Sequence, residues 1–423
     1  MKGRPMDAGA NRFGPRIMAL ADHLAQWSEQ ADALTVTYFS EAHRKVASEL
    51  KDLMHAAGME VRVDPIGNLF GRYAASSPDP GARTLLLGSH YDTVRNGGKY
   101  DGRLGILVPL VLIEHLNRTK QKFPFNIELC CFAEEEGVRF PIAYLGSQLV
   151  AGKFDPRNLD AKDDDGISLA NVLEEAGMDT RSISALRLNN DDLIGYVEIH
   201  IEQGPALLKA DLPVGVVTDI AGDVRHRVVV EGEAGHAGTV AMSFRHDAAA
   251  AAAEMILAIE KRCSGVPNLV GTVGQLLVPN GAMNVIPGRC EFSTDIRAAT
   301  NEARDAAVKD ILAAFSEIAK RRGVNVKVDE VLRMPAVPLS SSLRERMKKA
   351  ATDLGVTPLI LSSGAGHDAA MMASMTESAM MFVRCGNGGV SHSPREIITE
   401  EDADFAARVL FRFLTNLAEE ARA

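Results

Sequence analysis

Apolar residues along this chain fall into blocks of different texture, and the texture predicts the elements. Residues 84–87 and 127–132 are short, continuous apolar runs bounded by Gly or acidic residues, as expected of strands covered on both faces in a parallel sheet. Between them a helix is predicted over 104–116, which completes a βαβ unit. Upstream, Val46, Leu50, Leu53 and Met54 share one helical face, with Ser40 placed to cap that helix and Gly58 to end it. A strand over 61–63 follows. Further on, Val197, Ile199 and Ile201 alternate with Glu198, His200 and Glu202, so His200 is expected to point away from the apolar face of its strand.

From 214 to 331 the pattern changes to strand 228–232, helix 246–262, strand 269–278, strand 289–297, helix 301–321 and strand 324–328. That is the split βαβ order of a ferredoxin-like α+β domain. It interrupts a first, α/β domain made of 1–213 and 332–423, which resumes with a helix over 342–353, a strand over 380–385 and a closing helix from Glu401. An insertion of this kind, with hinges near Leu212-Pro213 and residues 335–338, reads as a lid or dimerisation domain.

Composition narrows the function classes. A chain of 423 residues can bury a sizeable core, and 46 basic against 56 acidic residues leave a net charge of -10, which argues against nucleic acid or an anionic membrane as partner. Cys130, Cys131, Cys263, Cys290 and Cys385 lack paired metal spacing and read as reduced core residues. The first seven residues lack the apolar stretch of a leader, and apolar runs such as 104–113 are too short to span a bilayer, so a cytoplasmic protein is expected.

Against that background five polar residues stand out. His90, Asp101, Glu136, His200 and His392 are each expected where a buried strand runs out into a Gly-rich or polar turn, and ligands of open α/β sheets gather at such ends. Imidazoles and carboxylates without a thiolate suit divalent zinc or manganese. Asp92 is placed to hydrogen-bond the far nitrogen of His90 and fix its tautomer. Asp101, between Gly97-Gly98 and Gly102, sits in a turn that lets one carboxylate bridge two ions. A pair about 3.5–4 Å apart would share a water and bring its pKa towards about 7. One member of Glu134-Glu135-Glu136 can then bind metal while its neighbour handles the proton.

In order, Gly88-Ser-His-Tyr-Asp-Thr93, Asn96-Gly-Gly-Lys-Tyr-Asp-Gly102, Glu134-Glu-Glu-Gly-Val-Arg-Phe140, Glu198-Ile-His-Ile-Glu-Gln-Gly204, Gly235-His-Ala-Gly-Thr239, Asn284-Val-Ile-Pro-Gly288, Asp295-Ile-Arg297 and Ser363-Gly-Ala-Gly-His-Asp368 resemble the amidohydrolase branch of the M20 metallopeptidase family. That branch holds allantoate amidohydrolases, N-carbamoyl-L-amino acid hydrolases and β-ureidopropionases. His200, where the peptidases of the family tend to use a carboxylate, separates the two groups.

The resemblance implies a binuclear-metal, aminopeptidase-like catalytic domain with two divalent ions per subunit, Zn2+, Mn2+ or Co2+. His90, Asp101 and His200 would hold one ion, and Asp101, Glu136 and His392 the other. Glu135 matches the general base. His236 matches a residue that reaches into the partner's site of a homodimer to stabilise the oxyanion. Asn284 and Arg297 match binders of the substrate carboxylate. Arg225 lies at a similar position, although Asp223-Val-Arg-His departs from the more usual Gln-Arg-Arg, and Gln203 and His367 complete the set. The implied substrate is a small ureido acid, with allantoate favoured by the Gly-Val-Arg-Phe and Gly-Glu-Ala-Gly-His-Ala-Gly-Thr-Val segments. An N-carbamoyl-L-amino acid is the alternative, and a dipeptide the more distant one.

Overall fold

The structure is a computed structural model that describes residues 12–77, 81–185 and 190–422. The N-terminal stretch read above for a leader lies outside these residues. The described part divides into two compact units, one of residues up to 218 with 339–361 and 367–423, the other of residues 219–338 with 362–366.

The first unit is built on a sheet whose centre is parallel. Asn126–Phe132, Thr84–His90, Leu193–Ile201 and Ser378–Val383 lie side by side in that order and run the same way. The two continuous apolar runs are buried at every position, as strands covered on both faces must be. Leu69–Tyr73 adds an antiparallel edge beyond Asn126–Phe132, with Glu60–Val63 outside it. Register aligns the strand ends: His90 pairs with Phe132, and His200 with Phe382. Chain segments leaving the parallel strands therefore emerge along one edge.

Helix Arg103–Thr119 packs on Thr84–His90 and Leu193–Ile201 and is apolar nearly all round, as a helix enclosed by other elements has to be. Helix Glu41–Ala56 starts where Ser40 predicts, the Ser40 hydroxyl accepting from His43 N at 3.1 Å, and buries Val46, Leu50 and Met54. That first turn carries His43, which is fully buried. Burial drives its imidazole pKa down to about 4, so a neutral ring donates from Nε2 to Ala133 O at 2.7 Å, just ahead of the acidic triplet.

Two sequence expectations shift. The insertion was expected to begin at 214, but Val214, Gly215 and Val216 pair with Val383, Phe382 and Met381, so the ladder keeps them in the first unit's sheet. The strand expected over 269–278 is broken into Leu269–Thr272 and Leu276–Leu277, both paired to Arg289–Ala298.

The second unit has four antiparallel positions, with the Leu269–Thr272 and Leu276–Leu277 pieces, Arg289–Ala298, Gly222–Glu231 and Asn325–Arg333 in that order. Arg289–Ala298 is buried at alternate residues, so one face of this sheet is covered. Helices Ala248–Cys263 and Asn301–Arg322 cover it, with Met255, Ile259, Ile311 and Phe315 against Val228, Val230, Phe292 and Ile296. Strand order and helix placement are those of the ferredoxin-like arrangement. All five cysteines are free and buried, and no helix among the described residues is long and apolar enough to cross a membrane.

Ser40→Ala is expected to cost about 1 kcal/mol, and Ser40→Gly only a few tenths. Urea denaturation of the metal-free chain would measure both, and equal losses would rule out the capping role.

Candidate metal centre

The site is assembled around Asp101. Thr84–His90 ends on His90, Leu193–Ile201 carries His200 one residue from its end, and the segment after Asn126–Phe132 supplies Glu135 and Glu136. The expectation that every ligand sits at a strand exit fails for two residues. Asp101 lies in the turn that leads into helix Arg103–Thr119, and His392 in a loop nine residues beyond Ser378–Val383, with a left-handed backbone. Turns reach towards a sheet edge from either direction, so convergence does not require a strand end.

Each oxygen of Asp101 faces a different set of nitrogens. Oδ1 lies 3.2 Å from His200 Nε2 and 3.8 Å from His90 Nε2, whereas Oδ2 lies 3.1 Å from His392 Nε2. His392 Nε2 is also 3.7 Å from Glu136 Oε1. Donor atoms of His90, Asp101 and His200 all come within 4.8 Å of one another, and so do those of Asp101, Glu136 and His392. The far nitrogens are engaged elsewhere: His200 Nδ1 donates to Ile201 O at 2.9 Å, and His90 Nδ1 lies 3.2 Å from Asp92 Oδ1. With Nδ1 tied back, the Nε2 atoms face the carboxylate, and Gly102 N lies 3.2 Å from His200 Nε2. Imidazole and carboxylate donors without a thiolate fit divalent ions.

Backbone geometry makes room for this. Gly102 has φ +65°, and a Cβ there would come within 2.4 Å of the His90 ring. At Gly98 a Cβ would meet the Glu396 carboxyl at 2.1 Å.

Charges are interleaved at close range. Burial opposes ionisation of Asp101, but hydrogen bonds from His200 and His392 outweigh it and hold the carboxyl well below the usual range. For His90, burial is outweighed by Asp92, and the imidazole is pushed well up. The hydrogen bond to Asp101 raises His392 to about 9. Glu136 is pushed up to about 7 by burial and then by Asp101, and burial raises Glu135 well above the carboxylate range.

Asp92 does more than the sequence suggested. Its carboxylate accepts from the backbone N–H of Glu135 and of Glu136 at 3.1 Å each, so the group that orients His90 also sets the start of the acidic segment. Gln203 donates from Nε2 to Asp101 Oδ2 at 2.9 Å. His367 is buried against the His200 ring, centroids 4.5 Å apart, and burial lowers its pKa strongly. Three partners were missed. Glu198 accepts from Ser89, Tyr196 and Ala369, and its signal was its place on the His200 side of an alternating strand. Glu396 accepts from Tyr100 N and Asp101 N, and the single Ser391 hydroxyl proton is shared between Glu396 Oε2 at 2.9 Å and Asp101 Oδ2 at 3.0 Å. Nothing in the spacing announces either of these last two.

The remaining sequence candidates belong to the second unit. His236 is exposed and pairs with Val285, one residue from Asn284, whose carbonyl accepts from Ala237 N. Arg297 grips Asp295 with Nε at 2.8 Å and Nη2 at 2.9 Å, and its Nη1 donates to Gly364 O. Arg225 shares Asp295 at 3.0 Å, so one carboxylate orders both guanidinium groups.

The model of peptidase family M20/M25/M40 matches residues 86–416. The chain belongs to this family. Among its relatives, an N-carbamoyl-L-amino acid amidohydrolase of Geobacillus stearothermophilus is 38% identical over 96% of this chain and 98% of its own length. Allantoate deiminase 1 of Glycine max is 36% identical over 93% of this chain and 88% of its own. The allantoate amidohydrolase of Bacillus subtilis is 35% identical over 93% and 95%. The solved structure of AtUAH in complex with glyoxylate is 33% identical with a TM-score of 0.80, covering 96% of this chain and 97% of that one. A hydantoinase/carbamoylase family amidase from Burkholderia multivorans reaches a TM-score of 0.89 at 28% identity, covering 96% and 98%. Family membership makes this chain a hydrolase of C–N bonds and a divalent-metal protein.

If His392 holds an ion, binding would displace the imidazole proton. Ion affinity should therefore climb as pH rises from 6.5 towards about 9, with proton release. In the metal-free chain the same raised pKa contributes stability that is present below 6.5 and lost as pH rises through about 9. Calorimetric titration of zinc in buffers of different ionisation enthalpy reads the released protons, and a pH-independent affinity would remove His392 from the ligand set.

Proposed function

We propose that this chain hydrolyses the carbamoyl C–N bond of a small ureido acid, at a divalent-metal centre whose donors gather around Asp101. His90, Asp101 and His200 would hold one ion, and Asp101, Glu136 and His392 a second. Zinc, manganese and cobalt all suit these donors. The observation that carries the reading is the Asp101 carboxylate, with two histidines on one oxygen and a third on the other.

A ureido carbonyl is a poor electrophile because both nitrogens donate into it. Divalent ions held by these residues would supply Lewis acidity towards water and the carbonyl oxygen. Glu135 takes the proton from the attacking water and delivers it to the departing nitrogen; a buried, raised carboxyl suits a group that must hold a proton in transit. Gln203 steadies Asp101, and His367 packs behind His200. From the second unit, His236 donates to the developing oxyanion, reaching the site of a partner subunit in a homodimer. Arg297 and Asn284 bind the substrate carboxylate with Arg225 beside them.

Allantoate is the leading substrate, giving ureidoglycine, ammonia and carbon dioxide. Its support is the sequence wording around Arg139 and His236, together with relatives named for allantoate. An N-carbamoyl-L-amino acid is the second reading, supported by a 38% identical relative named for that substrate. Both carry a ureido group and a carboxylate, and both release ammonia.

The deciding experiment is turnover of allantoate, N-carbamoyl-L-amino acids and dipeptides by the chain reconstituted with manganese or zinc, read as ammonia for the ureido acids and as free amino acid for the dipeptides. Turnover of dipeptides alone would sink the proposal. Glu135→Gln should keep its metal content and lose about 10²–10⁴-fold in kcat; undiminished turnover would remove Glu135 from the mechanism. Arg297→Met should raise KM for the ureido acid by at least about tenfold, and an unchanged KM would place the carboxylate elsewhere.

A further inference from the structure

Glu396 is buried and lies in the loop that carries His392, whose base is closed by the bond from Gly386 N to Ile397 O at 2.8 Å. Its Oε1 accepts from two consecutive amides of a distant turn, Tyr100 N at 2.9 Å and Asp101 N at 3.1 Å. Its Oε2 shares the Ser391 hydroxyl, next in sequence to His392, with Asp101 Oδ2. Gly98 makes this approach possible, since a Cβ there would meet the Glu396 carboxyl at 2.1 Å. One side chain thus ties the His392 loop to the Asp101 turn by hydrogen bonds at both ends.

The proposed ligands differ in how they are held. His90, Asp101 and His200 are 2%, 3% and 1% exposed, so packing fixes them. The His392 side chain is 50% exposed, and its backbone is left-handed at φ +53°. A residue other than glycine keeps such a backbone only where its surroundings over-determine it. Packing is thin around His392, and the bonds through Glu396 are what hold its loop against the Asp101 turn.

We infer that Glu396 is a positioning residue for His392: it fastens the loop to the Asp101 turn, so that the imidazole stands opposite Asp101 and Glu136 before any ion arrives. The inference rests on the metal-centre reading and adds a residue to it. Its consequence is selective. The ion of His90, Asp101 and His200 would keep ligands that packing fixes, whereas the ion of Asp101, Glu136 and His392 would lose one when the loop comes free. Position can also be separated from charge. Glu396→Gln removes the negative charge but leaves an oxygen for the two amides and a donor for Ser391 Oγ, while Glu396→Ala removes everything. Charge alone would make the two variants equally weak.

The test uses the full chain stripped of metal and measures stepwise zinc affinity by competition with a chromophoric chelator, for the parent, Glu396→Ala, Glu396→Gln, His392→Ala and the double variant of Glu396→Ala with His392→Ala. Folding is checked by circular dichroism and by the Tm of the metal-free proteins. The expected result is two zinc ions per parent chain and, in Glu396→Ala, one ion held as in the parent with the second at least about tenfold weaker. Glu396→Gln should bind both ions much as the parent does. In the His392→Ala background, Glu396→Ala should leave the remaining affinity unchanged, because a residue that acts through another adds nothing once that other is gone. An unchanged second affinity in folded Glu396→Ala, an equal loss of both ions, or Glu396→Gln as weak as Glu396→Ala would each overturn the inference, and so would a further loss in the double variant. If Glu396→Ala does not fold, Ser391→Ala takes its place, removing only the hydroxyl between Glu396 and Asp101. It should weaken the second ion, and binding like the parent's would overturn the inference. A parent chain that takes up no zinc or manganese would instead sink the metal-centre reading itself.

Discussion

Ionisable groups can be buried side by side only where charges of opposite sign alternate, and the first unit is organised around one such alternation at Asp101. Three imidazoles face its two oxygens, and burial, which opposes ionisation there, is outweighed by the hydrogen bonds of His200 and His392 and by the charges of His200 and His90. Each imidazole fixed from behind, as His200 is by Ile201 O and His90 by Asp92, presents its other nitrogen inward. The same constraint explains why Glu135 and Glu136, with fewer opposite charges beside them, are pushed up rather than down.

The parallel sheet makes this alternation affordable in geometric terms. Because His90 pairs with Phe132 and His200 with Phe382, the segments that leave the strands emerge together, and short connections suffice to gather the donors. The strands also divide labour by face. Val197, Ile199 and Ile201 enter the hydrophobic core, while Glu198 and His200, on the other side, enter the polar centre. Helix Arg103–Thr119 then locks the Asp101 turn against two of those strands.

The second unit obeys a different logic. Its sheet is covered on one face only, so its residues alternate, and charged side chains on the open face are free to make the Asp223, Arg225, Asp295 and Arg297 network. Asp295 thereby fixes both guanidinium groups in place. In the proposed reaction the first unit would carry hydrolysis and the second the recognition of an acid group.

Much of this was legible from the sequence. Continuous apolar runs, helical spacing and alternation report which face of a local element is covered, so the βαβ unit, the capped helix after Ser40 and the order of the insertion could be read directly. Donor type was equally plain, since His, Asp and Glu beside glycines name the atoms available to a cation. Local patterns are silent about which distant segment lies opposite. The Glu396 carboxylate meets the amide of Asp101 across 295 positions, and Asp92 meets the amide of Glu135 across 43. Arg103, a charged residue opening a helix, looks like a solvated one until the strands around it are in place. Residue identity set the chemistry on offer; the folding of remote turns onto one sheet edge decided which groups share a charge environment, because electrostatic and hydrogen-bond partners are chosen by distance in space and not by distance along the chain.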